Sequence, residues 1–266
     1  MKSKVTVLIP FYNSGPYLVE AIKSVFQQTY EDWQLILIDD ASTEEYLSSI
    51  QKYLKDDRVR LIRHLWNLGQ SMSLNKGLAY TKTPYLLQLD SDDLLVPEAL
   101  EVLLNEARDQ PEQVGLICSN LLVFYEDEQG EITKTITKRG AAFDDRYSFL
   151  MANTSLCPRF YKVSALHDIG GWPVDDPYEG RYREDMLTLY RLIEDYHFHW
   201  VDKTLYKHRI HQNNHTRQVD TYTEVMEWSV RNALQRWGDL YEPAFEKTEG
   251  GWKRISFLEL KKQENE

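Results

Sequence analysis

Short apolar runs at Val5–Ile9, Leu35–Ile38, Val59–Ile62 and Tyr85–Leu89 alternate with segments whose apolar residues recur at helical spacing. A run that is apolar without a break suits a strand covered on both faces. Between the first two runs, Pro16 opens a helix over about 16–28, with Leu18, Ala21, Ile22, Val25 and Phe26 on one stripe and Ser14 as its candidate cap. Ser42 or Thr43 is placed to cap a second helix over about 44–55, with Glu44 and Glu45 near its positive end. A third helix is expected over about 70–81. This alternation predicts a parallel, doubly wound α/β sheet, whose ligands gather at the carboxyl ends of the strands. Asp39-Asp40 and Asp90-Ser91-Asp92-Asp93 both fall at such ends.

Beyond Pro97 the spacing predicts a helix to about 109, a strand at Val114–Cys118, and a charged edge hairpin or flap over 121–138. A helix follows over 184–196, then a polar, loop-like stretch from His208 to Gln218. Residues 219–239 read as helical, with Trp228 and Trp237 placed to pack back on the body, and Lys261–Glu266 as a charged tail.

The 266 residues suffice for one large domain, or a domain with an extension, and 42% hydrophobic content supplies a core. A net charge of −11 disfavours nucleic acid as the main partner. Cys118 and Cys157 make no disulfide framework and read as two free thiols of a reducing cytoplasm. No apolar stretch reaches the roughly 20 residues of a membrane span. The first run reads as a strand and not as a signal peptide, which leaves the sequons at Asn153 and Asn214 with little weight. The expected location is cytoplasmic, with a peripheral position on the inner membrane face left open.

The stretch Y-L-L-Q-L-D-S-D-D-L-L-V-P raises an electrostatic question, because Asp90, Asp92 and Asp93 repel one another. In an extended chain Asp90 and Asp92 point one way, and Asp93 points elsewhere or turns inward. Carboxylates suit hard cations, so one reading supplies Mn²⁺ or Mg²⁺ carrying a diphosphate, and the other is a solvated turn or helix cap. Asp39 and Asp40 either meet a nucleotide's base and ribose or cap the following helix. Glu184-Asp185 offers a general base or a helix-start charge. His208, His211 and His215 lack the setting of a zinc site, and Arg209 and His211 suit phosphate contacts better. Asn67-Leu68-Gly69-Gln70-Ser71 presents amides that could receive an anion, or is a plain turn and cap. Neither the P-loop nor the dinucleotide fingerprint is present.

Five blocks, V-T-V-L-I-P-F-Y-N, S-V-F-Q-Q-T-Y-E-D-W-Q-L-I-L-I-D-D-A-S, N-L-G-Q-S-M-S-L-N-K-G, L-D-S-D-D and R-E-D, follow one another over about residues 4–215. In this order they resemble family 2 glycosyltransferases of the GT-A fold, including the spore-coat polysaccharide synthesis type. The resemblance implies a mostly parallel central sheet flanked by helices. It divides the chain into a domain at 1–215, with a donor half to about 118 and an acceptor half after it, and a helical extension at 216–266. It places Pro10, Tyr12, Asp39, Asp40 and Asp90 around base and ribose, and Asp92 with Asp93 on Mn²⁺ or Mg²⁺. Arg209 and His211 would lie near the diphosphate and metal, with Asp185 as general base. The implied activity is inverting transfer from a nucleotide-diphosphate sugar, expected to be UDP-linked, to a saccharide or lipid-linked saccharide; an oligomer is left open. Ser73-Leu74-Asn75 replaces the family's frequent Ala-Arg-Asn, and His208 stands where an aromatic is common, which bears on donor choice. Trp172 either lines the acceptor cleft or packs in the core. A sugar-phosphate nucleotidyltransferase and a noncatalytic nucleotide-sugar-binding subunit are the alternatives.

Overall fold

The computed structural model describes residues 3–43, 46–212, 218–248 and 250–262. Strands β1 (Val5–Phe11), β2 (Trp33–Asp39), β3 (Val59–Arg63) and β4 (Tyr85–Gln88) lie parallel in the spatial order β3-β2-β1-β4. Every residue of β1 is buried. Val5, Val7 and Ile9 meet helix α1 (Gly15–Phe26), while Leu8 joins the opposite core with Leu74 and Leu78 of helix α3 (Gln70–Tyr80). Two covered faces explain why the run carries no polar alternation.

The second expected helix is only a short helix α2 (Leu47–Ile50) and a 3₁₀ turn at Tyr53–Lys55, with Tyr46 at the N-cap. Ser42 and Thr43 do not cap it. The Ser42 N–H donates to Asp39, the Ser42 hydroxyl accepts from Asn13 N–H, and Thr43 N–H donates to the Asn13 side chain. This strap ties the ends of β1 and β2 together. Glu44 and Glu45 lie outside the described residues. Ser14 sits at the N-cap of α1, but its hydroxyl pairs with that of Ser91 at 2.7 Å instead of capping.

After β5 (Leu94–Leu95) and helix α4 (Ala99–Arg108), the long strand β6 (Val114–Glu126) pairs with β7 (Ile132–Lys138) in the expected hairpin. Helix α5 (Arg146–Ala152), strand β8 (Cys157–Lys162), helix α6 (Val163–Asp168), helix α7 (Glu184–Leu192) and strand β9 (His197–Ile210) follow. β8 inserts antiparallel between β4 and β6, and β9 runs parallel to β6 and antiparallel to β5. His208, Arg209 and Ile210 are therefore the last residues of a strand, where the sequence suggested a loop; His215 and the sequon at 214–216 lie outside the described residues. Helix α8 (Val219–Arg236) packs on the body, with Trp237 buried and Trp228 half-buried. The extension is not wholly helical: β10 (Tyr241–Lys247) and β11 (Lys253–Leu260) form a separate antiparallel pair. Cys118 and Cys157 are free and buried, and burial pushes both thiols up to about 12. Among the described residues no helix is long and apolar enough to cross a membrane.

Helix α3 approaches β1 through Gly77, where an added Cβ would overlap the Leu8 side chain. Gly77→Ala is expected to destabilise by about 1–3 kcal/mol through overpacking, against a helix-propensity gain of about 1 kcal/mol. Denaturant titration should show a lower midpoint at unchanged slope, with partial recovery in the Leu8→Ala background.

Candidate active site

The carboxyl ends of β1, β2 and β4 open into a cleft of about 620 Å³. Pro10, Tyr12 and Asn13 line it from the end of β1, Asp40 from β2, Asn67 and Gly69 from the turn before α3, and Asp90, Ser91 and Asp92 from β4. Glu184 at the start of α7, His208 and His211 at the end of β9, and Tyr222 on α8 close the far side.

The acidic cluster is held by side chains of the protein itself. Arg159 on β8 donates to Asp90 at 2.7 Å. His211 Nε2 stands 3.1 Å from Asp92 Oδ2. Asp93 turns inward, because the residues after it pair with β9 at Lys207 and Tyr206. There its carboxylate accepts from Tyr206 OH and Arg209 N–H, both at 2.8 Å, and meets His208 Nδ1 at 3.1 Å. Burial pushes Asp93 up, and the neighbouring carboxylates add to this against the opposing charge of His208. Asp93 is fully enclosed and does not line the cleft, so the geometry removes it from the expected metal ligands.

Arg209 is also turned away from the cleft. Its guanidinium pairs with Glu126 and with Glu20 (2.6 Å), donates to the Asp92 carbonyl (2.8 Å), and lies over the rings of Tyr17 and Phe124. It pins the acidic turn to α1 and β6, which replaces the expected phosphate contact. Asp39 is likewise internal: Tyr46 OH (2.6 Å), Arg63 Nε (2.7 Å) and Ser42 N–H (2.8 Å) all donate to it. Burial works to raise Asp39, but these hydrogen bonds outweigh it and keep the carboxyl below its ordinary value. Asp40 does reach the cleft, accepting from Leu68 N–H and Gly69 N–H at 2.8 Å, which shapes the turn entering α3. Trp172 is in the core, its indole N–H donating to Gln88 at 3.3 Å.

Arg159, which joins β4 to α7 across the site, was missed by the sequence reading. It is 4% exposed and spans Asp90 on β4 and Asp185 on α7, the second at 3.2 Å. Burial alone would lower its pKa, yet the charges of Asp90 and Asp185 drive it well above the ordinary value. The available signal was an arginine inside the apolar strand C-P-R-F-Y, since a buried charge must find partners. Asp185 also accepts from Ser155 at 2.7 Å. Burial works to raise Asp185, but Arg159, Ser155 and Arg183 overcome it and hold the carboxyl below its usual range. Its neighbour Glu184, which accepts from Gln88, is pushed up to about 8 by burial and by the charge of Asp185.

A family model, "Glycosyl transferase family 2", matches residues 6–170. The chain belongs to glycosyl transferase family 2. Protein CgeD of Bacillus subtilis is 28% identical over 66% of this chain and 43% of its own length, so the chain spans less than half of that relative. S. aureus TarS 1–349 in complex with UDP-GlcNAc shares the fold with a TM-score of 0.64 at 17% identity, over 87% of this chain and 66% of that one. The mannosyltransferase PcManGT of Pyrobaculum calidifontis, in complex with GDP-Man and Mn²⁺, gives 0.62 at 17% identity, over 88% and 65%. The architecture is thus the GT-A fold. In this family 2 glycosyltransferase the family match carries β1 to α6 but stops short of Glu184, Asp185, His211 and Tyr222.

Removing Arg159 leaves two carboxylates without their shared cation. Arg159→Met is expected to cost about 3–5 kcal/mol at pH 7. Asp185 has a lowered folded-state pKa, so its share of that stability is present above the unfolded value near 3.9 and lost as pH falls through the folded one. Urea unfolding at pH 7 and pH 3 should therefore show a smaller gap between mutant and wild type at the lower pH.

Proposed function

We propose that the cleft binds a nucleotide-diphosphate sugar, uridine-linked, and transfers the sugar with inversion to an acceptor hydroxyl. The carrying observation is the placement of Asp185, which stands 3.2 Å from Arg159 and 2.7 Å from Ser155 and adjoins Glu184, a residue lining a cleft of about 620 Å³. The UDP-GlcNAc and GDP-Man complexes of the two structural neighbours support the donor class. Pro10 and the exposed ring of Tyr12 offer a face for the base, and Asp40 orders the turn that would flank it. Ser73 lines the cleft with a buried hydroxyl that has no partner among the described residues, as expected where a ligand supplies one.

Divalent-metal use is tested by the donor set. Among the described residues no group of three or more His, Cys, Asp and Glu side chains forms a metal cage. Asp92 and His211 stand together at the cleft, and a carboxylate with one further ligand fits a cation whose shell is completed by water and substrate phosphates. Asp92 and His211 would hold it, and when bound it would neutralise charge on the departing diphosphate.

Asp185 takes the proton of the acceptor hydroxyl as that oxygen forms its bond to the anomeric carbon. The bond from the anomeric carbon to the diphosphate breaks in the same displacement, and its electron pair leaves with the diphosphate. Attack on the opposite face inverts the configuration without a covalent enzyme intermediate. A base held at low pKa suits a late proton transfer, when the hydroxyl has become acidic. Glu184 lines the cleft beside it and accepts from Gln88.

Asp185→Asn should lower kcat by roughly 10²- to 10⁴-fold, the usual worth of a general base, while a UDP-sugar still raises the thermal midpoint. Nucleotide release and thermal shift together check this, and unchanged turnover would remove the base assignment.

A further inference from the structure

The family match ends at residue 170, but the cleft continues past it. Its wall runs on through Tyr182, in the segment before α7, and Tyr222, on α8. These two rings meet edge to face with centroids 5.5 Å apart. Tyr178 backs Tyr182 at 5.3 Å, and Trp252, just before β11, backs Tyr222 at 6.0 Å. Tyr178 OH donates to Glu224 and Tyr182 OH to Gln218, which fastens the segment to α8. All four rings are half-buried, unlike the enclosed aromatics of the core such as Phe149, Phe198 and Trp172.

The strand order locates this wall. The base side lies at the ends of β1 and β2. Glu184 bonds to Gln88 of β4 and Asp185 to Arg159 of β8, so α7 stands over the other side of the cleft. Tyr222 lines the cleft with Glu184, and burial together with the charges of Glu184 and Asp185 raises its phenol, which stays a hydrogen-bond donor at neutral pH. Aromatic rings edged with hydroxyls and carboxylates suit a ligand that is apolar on its faces and polar on its rim. A hydrocarbon chain lying there would desolvate those groups without pairing them.

We propose that Tyr222 and Tyr182, braced by Trp252 and Tyr178, form a stacking wall that seats a saccharide acceptor beside Glu184 and Asp185. The C-terminal segment from α8 to β11 thereby becomes part of the site. This inference rests on the glycosyl-transfer reading above, and UDP and oligosaccharide binding separate the two.

The test titrates UDP with Mn²⁺ by calorimetry, and then titrates chitotetraose, cellotetraose, maltotetraose and lactose into the UDP-loaded protein, followed by intrinsic fluorescence. Wild type is expected to bind at least one of these oligosaccharides. Tyr222→Ala should weaken that binding by about tenfold or more while changing UDP affinity less than about twofold, and Tyr222→Phe, which keeps the ring, should recover most of the loss. Tyr182→Ala should show the same split, and keeps the idea falsifiable if Tyr222→Ala fails to fold. The inference is overturned if UDP binds but no oligosaccharide does, or if the alanine variants weaken UDP as much as the saccharide. Absence of UDP binding in the wild type overturns the donor reading, and this one with it.

Discussion

A single buried guanidinium holds the two working halves of this molecule in one frame. Arg159 reaches from β8 to Asp90 at the end of β4 and to Asp185 at the start of α7. Without it, Asp90 after β4 and Asp185 on α7 would lose their shared cation, at a cost of several kcal/mol for each uncompensated charge. With it, Asp90 is oriented and Asp185 is held below the usual carboxylate range, while burial and the charge of Asp185 push Glu184 up. His211, His208 and Tyr206 extend the same arrangement to Asp92 and Asp93.

The acidic turn itself is shaped by strand pairing. Because Leu94 and Leu95 join β9, Asp93 faces inward, and Arg209 crosses behind the turn to Glu126 and Glu20. Only Asp90, Ser91 and Asp92 of this stretch then line the cleft. The internal carboxylates fix the backbone, and the others face the cleft. Asp39 and Asp40 repeat the pattern one strand over, with Asp39 internal and Asp40 ordering the turn into α3.

The local signals in the sequence were sound where covering layers decide the pattern. The β1 to β4 alternation, helix α3, the β6–β7 hairpin and the Glu184-Asp185 helix start all read correctly, because burial on two faces or one stripe leaves a periodicity. Several of the failures depend on distant partners, and the others on weak local patterns. Arg159 is one residue in an apolar run, and its role exists only once β8 lies beside β4. The resemblance set Asp93 on the metal and Arg209 near the diphosphate, whereas the β5–β9 pairing turns both inward. His208–Ile210 looked like a loop because a polar strand at a ligand-facing end has no apolar alternation. β10 and β11 were missed because a two-stranded sheet with one side in solvent leaves only a faint pattern. Ser42 and Thr43 suited a cap by type, and their strap to Asn13 depends on two strand ends meeting.

Asp92 and His211 face the cleft as two of the ligands a cation needs, and in the proposed reaction the donor's diphosphate supplies others. Electron paramagnetic resonance of Mn²⁺ with and without UDP, for wild type and Asp92→Asn, tests this directly. Weak binding of Mn²⁺ alone, at least about tenfold tighter binding with UDP, and loss of that gain in Asp92→Asn are expected. Equal affinity with and without UDP, or a gain that survives in Asp92→Asn, would overturn the cation's place in the reaction.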